Sequence, residues 1–136
     1  MTKKWKWISE DVVKMTGEIQ VMKQGGLSGL RDEALLDSAL SRPKNLAAYD
    51  NPDVFDLAAA YAYGIISNHP FLDGNKRTGF LTACAFMDEN GWEYDATEVD
   101  AYMTVMALAQ KEIDEKTFAI WLKKSSKRIK KTKKEK

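Results

Sequence analysis

The 136-residue chain has little of several things: one cysteine, one histidine, three prolines and no long apolar run. Because Cys84 is the only thiol, no internal disulfide can form, and we expect a reducing, cytoplasmic compartment. The longest mainly apolar stretch, 57–66, is far shorter than the about 20 residues that span a bilayer. The lysines near the N-terminus are followed at once by Ser9, Glu10 and Asp11 instead of the apolar segment of a secretory signal. We therefore expect a soluble protein with no membrane partner.

Charge is almost balanced overall but unevenly distributed. The chain has 21 basic and 20 acidic side chains, a net charge of +1. Residues 125–136 hold seven of the basic and one of the acidic residues (+6), which leaves 14 basic and 19 acidic residues (−5) in the rest. A nucleic-acid-binding domain usually concentrates positive charge on its folded body, so we expect no nucleic-acid partner. The length and this split predict one domain over 1–124 and a basic, disordered tail over 125–136.

Periodic apolar residues predict an all-α fold. Ser9 is a plausible N-cap of a first helix, which should stop at Gly25-Gly26. A second helix is expected from Arg31 to Arg42, ended by Pro43. The first helix carries one apolar stripe that we expect to face the core: Ile8, Val12, Met15, Ile19 and Met22.

The most apolar helix is predicted to follow Asn51-Pro52-Asp53, an N-cap, a proline and an acid. It carries two adjacent apolar stripes, which is typical of a central helix. It should end before Pro70, with a further helix starting near Asn75. Later helices are predicted from Thr97 and from about Asp114, after a short extended piece at 92–94.

The segment between the two most apolar helices carries the chemistry. It reads His-Pro-Phe-Leu-Asp-Gly-Asn-Lys-Arg-Thr over residues 69–78. Gly74 allows close backbone approach, and the amides at the start of the following helix attract anions. Lys76 and Arg77 provide a point charge and a bidentate fork for phosphate oxygens. Asp73 is the kind of oxygen ligand that Mg²⁺ prefers, and His69 is a candidate base.

Non-catalytic interpretations of these residues remain open. A lone histidine near a helix end often serves as a cap, Gly-Asn after an acid is a common turn, and two cations in a first helical turn often form only a solvated face. However, a helix N-terminus disfavours cations. The presence of Lys76 and Arg77 there is explained if an anion binds between them and the helix end.

The same residues resemble a known signature. The loop is similar to that of the Fic/Doc (Fido) superfamily, which reads His-Pro-Phe-x-Asp/Glu-Gly-Asn-Gly/Lys-Arg, with Lys76 at the variable position. The resemblance extends over about 8–122, and 25–32 with 35–40 resemble the start of the short Doc branch. It implies a compact helical bundle with a central helix–loop–helix motif and a short flap or hairpin.

The resemblance also implies roles and ligands, with ATP as co-substrate and Mg²⁺ as cofactor. His69 matches the catalytic base, and Asp73 matches the residue that holds Mg²⁺. The phosphate-binding positions correspond to Gly74, Asn75, Lys76 and Arg77. The flap that docks the target protein by β-augmentation corresponds to Leu27, Ser28, Gly29 and Leu30.

Three functions are compatible with the sequence. Doc-type toxins, which have lysine at the position of Lys76, transfer the γ-phosphate of ATP to elongation factor Tu. Ordinary Fic enzymes have glycine there and transfer AMP to a protein hydroxyl, whereas Pro70 and Gly74 here are Fic-like. A helical binding module without catalysis is the third. The family's inhibitory motif, Ser/Thr-x-x-x-Glu-Gly/Asn, is absent because Ala85 stands four residues before Glu89, so we expect an antitoxin in trans.

Overall fold

The computed structural model describes residues 4–130 of the chain, and it confirms the all-α prediction. Six helices and one small sheet make up the described part. None of the described helices is both long and apolar enough to cross a bilayer. In chain order the elements are α1 (Glu10–Gln24), α2 (Glu33–Tyr49), α3 (Val54–Asn68), α4 (Asn75–Glu89), β1 (Trp92–Tyr94), α5 (Glu98–Ala109), α6 (Glu115–Lys124) and β2 (Ser126–Arg128).

Helix α3 lies at the centre, as its two apolar stripes predict. Eleven of its fifteen residues are buried, and it packs against α2, α4, α5 and α6. The Tyr61 hydroxyl accepts a hydrogen bond from the Ile8 amide at 3.1 Å, which ties the N-terminal segment to this helix. Because α3 and α4 pack along their lengths, they hold the loop between them at both ends.

The aromatic N-terminal segment packs on the body of the protein. The Trp7 ring stacks on Phe86 with ring centroids 5.6 Å apart, and Trp5 lies 6.0 Å from the same ring. Cys84 on α4 is half-buried, and this environment raises the pKa of its thiol to about 12. A cysteine whose thiol stays protonated packs as a small side chain and does not act as a nucleophile.

The predicted inward face of α1 is wrong. Val12, Met15, Ile19 and Met22 are 41–83% exposed, and only Ile8, which precedes the helix, is buried. The buried face consists of Val13, Gly17, Gln20 and Val21. Gly17 explains why this face is the buried one, since it lets the helix approach Phe71 closely. A Cβ at position 17 would lie 3.1 Å from the Phe71 ring. Helix α1 thus turns its glycine toward the loop and leaves an apolar stripe on the surface.

Two predicted helix boundaries are also wrong. Helix α2 runs through Pro43 to Tyr49. Pro43 is buried, and the Ala39 carbonyl, which a proline cannot bond, lies 3.0 Å from where Gly64 would carry a Cβ. Helix α3 begins two residues later than expected, because Asp53 is the N-cap and Asp56 completes a capping box with it.

The start of the basic tail is ordered, contrary to the predicted boundary at residue 124. Ser126–Arg128 pairs antiparallel with Trp92–Tyr94, with Glu93 opposite Lys127. The Arg128 guanidinium lies 5.2 Å from the Trp92 ring, a cation–π distance. The folded unit therefore extends at least to Arg128, and residues 131–136 lie outside the described part.

Candidate active site

The loop after α3 starts at a residue in an uncommon backbone conformation. His69 is the C-cap of α3 with φ 51° and ψ 55°, in the left-handed region. Pro70, which has no amide hydrogen, follows it and prevents the helix from continuing. Gly74, with φ 81°, is the N-cap of α4. The side chain of His69 is exposed, as is that of Asp73.

The buried side chain of Asn75 is hydrogen-bonded to the backbone of the loop that precedes α4. Its Oδ1 accepts a hydrogen bond from the Phe71 amide, and its Nδ2 donates to the Phe71 carbonyl, both at 3.0 Å. Asn75 is 6% exposed and Phe71 is 5% exposed. The Asn75 side chain, predicted to bind phosphate, is thus used to hold the loop. Its backbone amide, in the first turn of α4, has no carbonyl partner within the helix.

The glycine-rich segment after α1 forms a single strand-like piece along this loop, not a hairpin. Leu30 and Phe71 form an isolated antiparallel bridge. The Arg31 amide donates to the Pro70 carbonyl at 2.7 Å, and the Leu72 amide donates to the Gly29 carbonyl at 3.0 Å. In this bridge the amide and carbonyl of Leu30 itself point to the opposite edge. We call residues 26–30 the flap.

The flap is also tied to the predicted metal ligand. The Asp73 carboxylate accepts a hydrogen bond from the Leu27 amide at 2.7 Å through Oδ2. Gly26 makes this approach possible, since its φ is 113° and a Cβ there would lie 3.0 Å from the same oxygen. The structure therefore brings Leu27 of the flap and Asp73 of the loop into direct contact.

Helix α4 begins without a side-chain cap and without an acid in its first turn. Each of the other five described helices has a side-chain oxygen bonded to its first turn. Those N-caps are Ser9, Asp32, Asp53, Thr97 and Asp114. The first turn of α4 instead carries Lys76 and Arg77, so positive side chains add to the positive end of the helix dipole. This end of α4 is suited to bind an anion.

A cleft of about 360 Å³ lies beside Lys76 and Arg77, between α4 and α5. At its edge Arg77 forms an ion pair with Glu98 at 3.2 Å, and Glu98 is largely exposed. Tyr102, at 63% exposure, presents an aromatic ring. The remaining lining residues are mainly apolar: Gln24, Phe80, Ala101, Val105 and Met106.

One buried polar group near the α4 N-terminus has no partner. The Thr78 hydroxyl is fully buried and makes no hydrogen bond among the described residues. It lies 3.9 Å from the position that a Cβ on Gly74 would occupy. A Cβ at position 74 would be in ordinary van der Waals contact with Val21, Gln20 and this hydroxyl, so the positive φ of Gly74 and not a lack of space favours glycine there.

A carboxylate cluster lies elsewhere, where α1 and α2 begin. Glu10, Glu33 and Asp37 place their oxygens close together. Lys14 already neutralises two of them, at 2.8 Å from Glu10 and 3.2 Å from Glu33. Lys14 lowers the pKa of the Glu10 carboxyl, whereas desolvation and the charge of Glu10 raise that of Asp37. Lys14 therefore supplies the positive charge that a bound metal ion would otherwise bring to these carboxylates.

The structure gathers the predicted residues around one loop, with three differences. The Asn75 side chain is used internally, Arg77 is already paired, and Leu27 is bonded to Asp73. Sequence reasoning missed Glu98 and Tyr102, which lie more than twenty residues beyond the loop and follow a strand. An acid in a first helical turn has an ordinary capping explanation, so no sequence signal distinguishes Glu98.

A family model described as the Fic/DOC family matches residues 6–87. The chain belongs to the Fic/Doc family. It is 34% identical over 98 residues to "Toxin Doc" of Mycolicibacterium smegmatis, covering 66% of this chain and 74% of that protein. It is 30% identical over 102 residues to "Protein kinase doc" of Escherichia phage P1, covering 74% and 80%. These relatives agree with the Doc-branch resemblance of the flap and loop residues.

We predict that the Asp73 carboxylate protects the Leu27 amide in this Fic/Doc protein. A hydrogen bond to a charged acceptor is worth about 1.5–3 kcal/mol. Replacing Asp73 by Ala should therefore increase amide hydrogen exchange at Leu27 by about tenfold or more. Glu18→Ala is the matched control, because Glu18 and Asp73 line one small pocket beside α1, but within the described residues Glu18 makes no hydrogen bond to the flap. Equal exchange at Leu27 in all three proteins would contradict the contact.

Proposed function

We propose that this Fic/Doc protein is a Doc-like toxin that transfers the γ-phosphate of ATP to a hydroxyl of a target protein. The observation that carries the proposal is the uncapped N-terminus of α4, which has Gly74 at the N-cap, where the other described helices have a capping oxygen, and Lys76 and Arg77 in its first turn. The relative from phage P1 is named a protein kinase, which favours phosphate transfer over AMP transfer. By the family resemblance, the proposed target is elongation factor Tu.

The proposed reaction needs a base, a phosphate cradle and a metal ligand. The hydroxyl oxygen of the target attacks the γ-phosphorus, the bond to the β–γ bridging oxygen breaks, and ADP leaves. His69 accepts the hydroxyl proton. The amides of Gly74 and Asn75, with Lys76 and Arg77, hold the phosphate oxygens and offset the charge that develops on them.

Asp73 fits the metal requirement of this reaction. One of its carboxylate oxygens is bonded to the Leu27 amide, and the other makes no hydrogen bond that was found among the described residues. Mg²⁺ is commonly bound through one or two carboxylates together with substrate phosphates. When bound, the metal would neutralise phosphate charge. The Asp73–Leu27 bond orients the carboxylate and also keeps the flap beside the loop.

We propose that the cleft between α4 and α5 holds the nucleoside part of ATP. It adjoins Lys76 and Arg77, and its lining is apolar with one exposed aromatic ring, that of Tyr102. A volume of about 360 Å³ lies at the lower end of the range for small-molecule sites. The Arg77–Glu98 pair would have to open, or rotate, for the guanidinium to reach a phosphate.

The target protein is proposed to add a strand at the free edge of the flap. The Leu30 amide and carbonyl point away from Phe71, and neither is bonded within the described residues. Leu27, Ser28 and Gly29 are exposed beside them. A β-strand that pairs with Leu30 would lie alongside the loop that carries His69, which is the geometry that hydroxyl transfer needs.

We predict that the purified protein with ATP and a bacterial lysate labels a protein from γ-labelled ATP and not from α-labelled ATP. His69→Ala should reduce that labelling at least 100-fold, as expected for loss of a general base. Lys127→Ala, a surface substitution on β2, is the control and should label like the native protein.

Each other outcome of the labelling experiment favours a different function. Label from α-labelled ATP would indicate the Fic-type AMP transferase. Absence of label from either position would indicate the non-catalytic binding module. Unchanged labelling by a folded His69→Ala variant would contradict the role of the base.

We predict that Tyr102→Ala weakens ATP binding by removing the aromatic wall of the nucleoside cleft. Loss of stacking on a base is worth about 1–3 kcal/mol, so the Kd for ATP should rise about tenfold. Binding of inorganic triphosphate, which has no base, should stay the same. Tyr49→Ala is the control, because Tyr49 is also an exposed tyrosine, but on α2. An equal loss for ATP and triphosphate would argue against a base in the cleft.

An antitoxin in trans is proposed as the regulatory partner, since the chain lacks the family's inhibitory motif. Its docking site is proposed to be the exposed stripe of α1, where Val12, Met15, Ile19 and Met22 repeat at intervals of three and four residues. This spacing suits an amphipathic helix. Exposed Asp11 and Glu18 flank the stripe, so we expect basic residues along one side of the partner.

We predict that Met15→Glu prevents neutralisation by a co-expressed small protein from the neighbouring reading frame. A charge in the middle of the stripe cannot be buried against an apolar partner face without a large cost. Tyr49→Glu, which adds the same charge at another exposed site, should leave neutralisation unchanged. Co-purification at the native level with Met15→Glu would contradict this docking site.

A further inference from the structure

The backbone of His69 needs support from outside its own helix. A non-glycine residue in the left-handed region is disfavoured, yet His69 adopts φ 51° and ψ 55°. The last carbonyls of a helix also lack partners within it. At the end of α3 these include the carbonyls of Asn68 and His69. Something must therefore bond these carbonyls and fix the turn from which the His69 side chain extends.

Arg31 supplies that support through its guanidinium. Its Nε donates to the His69 carbonyl at 2.7 Å, and its Nη2 donates to the Asn68 carbonyl at 2.9 Å. The two donors of the planar fork thus bond two consecutive carbonyls. A positive charge at a helix C-terminus is also favoured by the helix dipole.

The backbone next to Arg31 holds the other side of His69. The amides of Arg31 and Asp32 both donate to the Pro70 carbonyl, at 2.7 and 3.1 Å. Asp32 in turn caps α2 through the Leu35 amide. Three consecutive carbonyls, those of Asn68, His69 and Pro70, are therefore bonded to one short segment at the end of the flap.

We propose that Arg31 is a positioning residue for His69, which fixes the backbone from which the imidazole reaches the target hydroxyl. This inference rests on the proposed function for its catalytic consequence, but the positioning itself does not depend on activity. Arg31 is exposed, so its replacement leaves no cavity in the core. Its three backbone and side-chain contacts also connect the flap, where the target would bind, to the base.

The test uses Arg31→Met, which keeps an unbranched apolar stem and removes the donors, and Arg31→Lys, which keeps the charge and removes the fork. Arg42→Met is the matched control, since the Arg42 guanidinium also bonds across helices, from α2 to Glu115 of α6, and not to the carbonyls of the loop. Because His69 is the only histidine, its imidazole Cε1 and Cδ2 proton resonances report on this one side chain without assignment of others.

Arg31→Met should shift or broaden the His69 imidazole resonances, whereas Arg42→Met should leave them at the native positions. In the labelling reaction, Arg31→Met should lower kcat about 10–100-fold, as for a misplaced catalytic group, with KM for ATP within about twofold. Arg31→Lys should fall between the native protein and Arg31→Met in both measurements. This separation of kcat from KM distinguishes positioning from a general loss of folded protein.

Unchanged imidazole resonances in Arg31→Met would overturn the proposal, and so would equal changes in Arg31→Met and Arg42→Met. If Arg31→Met does not fold, Arg31→Lys decides: native resonances and native kcat would overturn the role of the fork. If the native protein transfers nothing from ATP, the proposed function fails, and the resonance comparison still supports or overturns the positioning of His69.

Discussion

The pair of hydrogen bonds between the Asn75 side chain and the Phe71 backbone holds the rest of the site in place. It closes the loop between α3 and α4, and it occupies the amide and carbonyl of Phe71 that face away from the flap. The residues on either side of Phe71 in the chain are then available to pair with the flap around Leu30. The Phe71 ring is buried against Gly17 of α1. The loop thus joins α1, the flap, α3 and α4 through one buried asparagine and one buried aromatic residue.

Two positive side chains lie in the first turn of α4 in a chain that is acidic outside residues 125–136. Outside residues 125–136 the chain has a net charge of −5. The uncapped end of α4, with Lys76 and Arg77, is where positive side chains and free amides coincide. The Arg77–Glu98 ion pair offsets part of that charge before a ligand binds. The flap, His69 and this end of α4 lie around the same short loop.

The sequence predicts those elements whose characteristic residues lie close together along the chain. The double stripe of α3 and the loop residues at 69–78 were recognisable because neighbouring residues carry the whole signal. The buried face of α1 was not, because it depends on Gly17 meeting Phe71 far along the chain. Pro43 is buried inside α2, and the Ala39 carbonyl that it cannot bond lies against Gly64 of α3. Strand β2 forms because β1 offers a partner. The hydrogen bonds of the Asn75 side chain to the Phe71 backbone likewise depend on tertiary contacts, and so does the position of Glu98 and Tyr102 in the cleft.

The proposed function requires that the free amides at the start of α4 bind the phosphates of ATP. Backbone amide chemical shifts measured while ATP and Mg²⁺ are added test it most directly. We expect the largest changes at Gly74, Asn75, Lys76 and Arg77, with smaller ones at Tyr102, and the same α4 changes with inorganic triphosphate. Saturable ATP binding with its largest changes away from residues 74–77, or no change at any of these amides, would contradict the account.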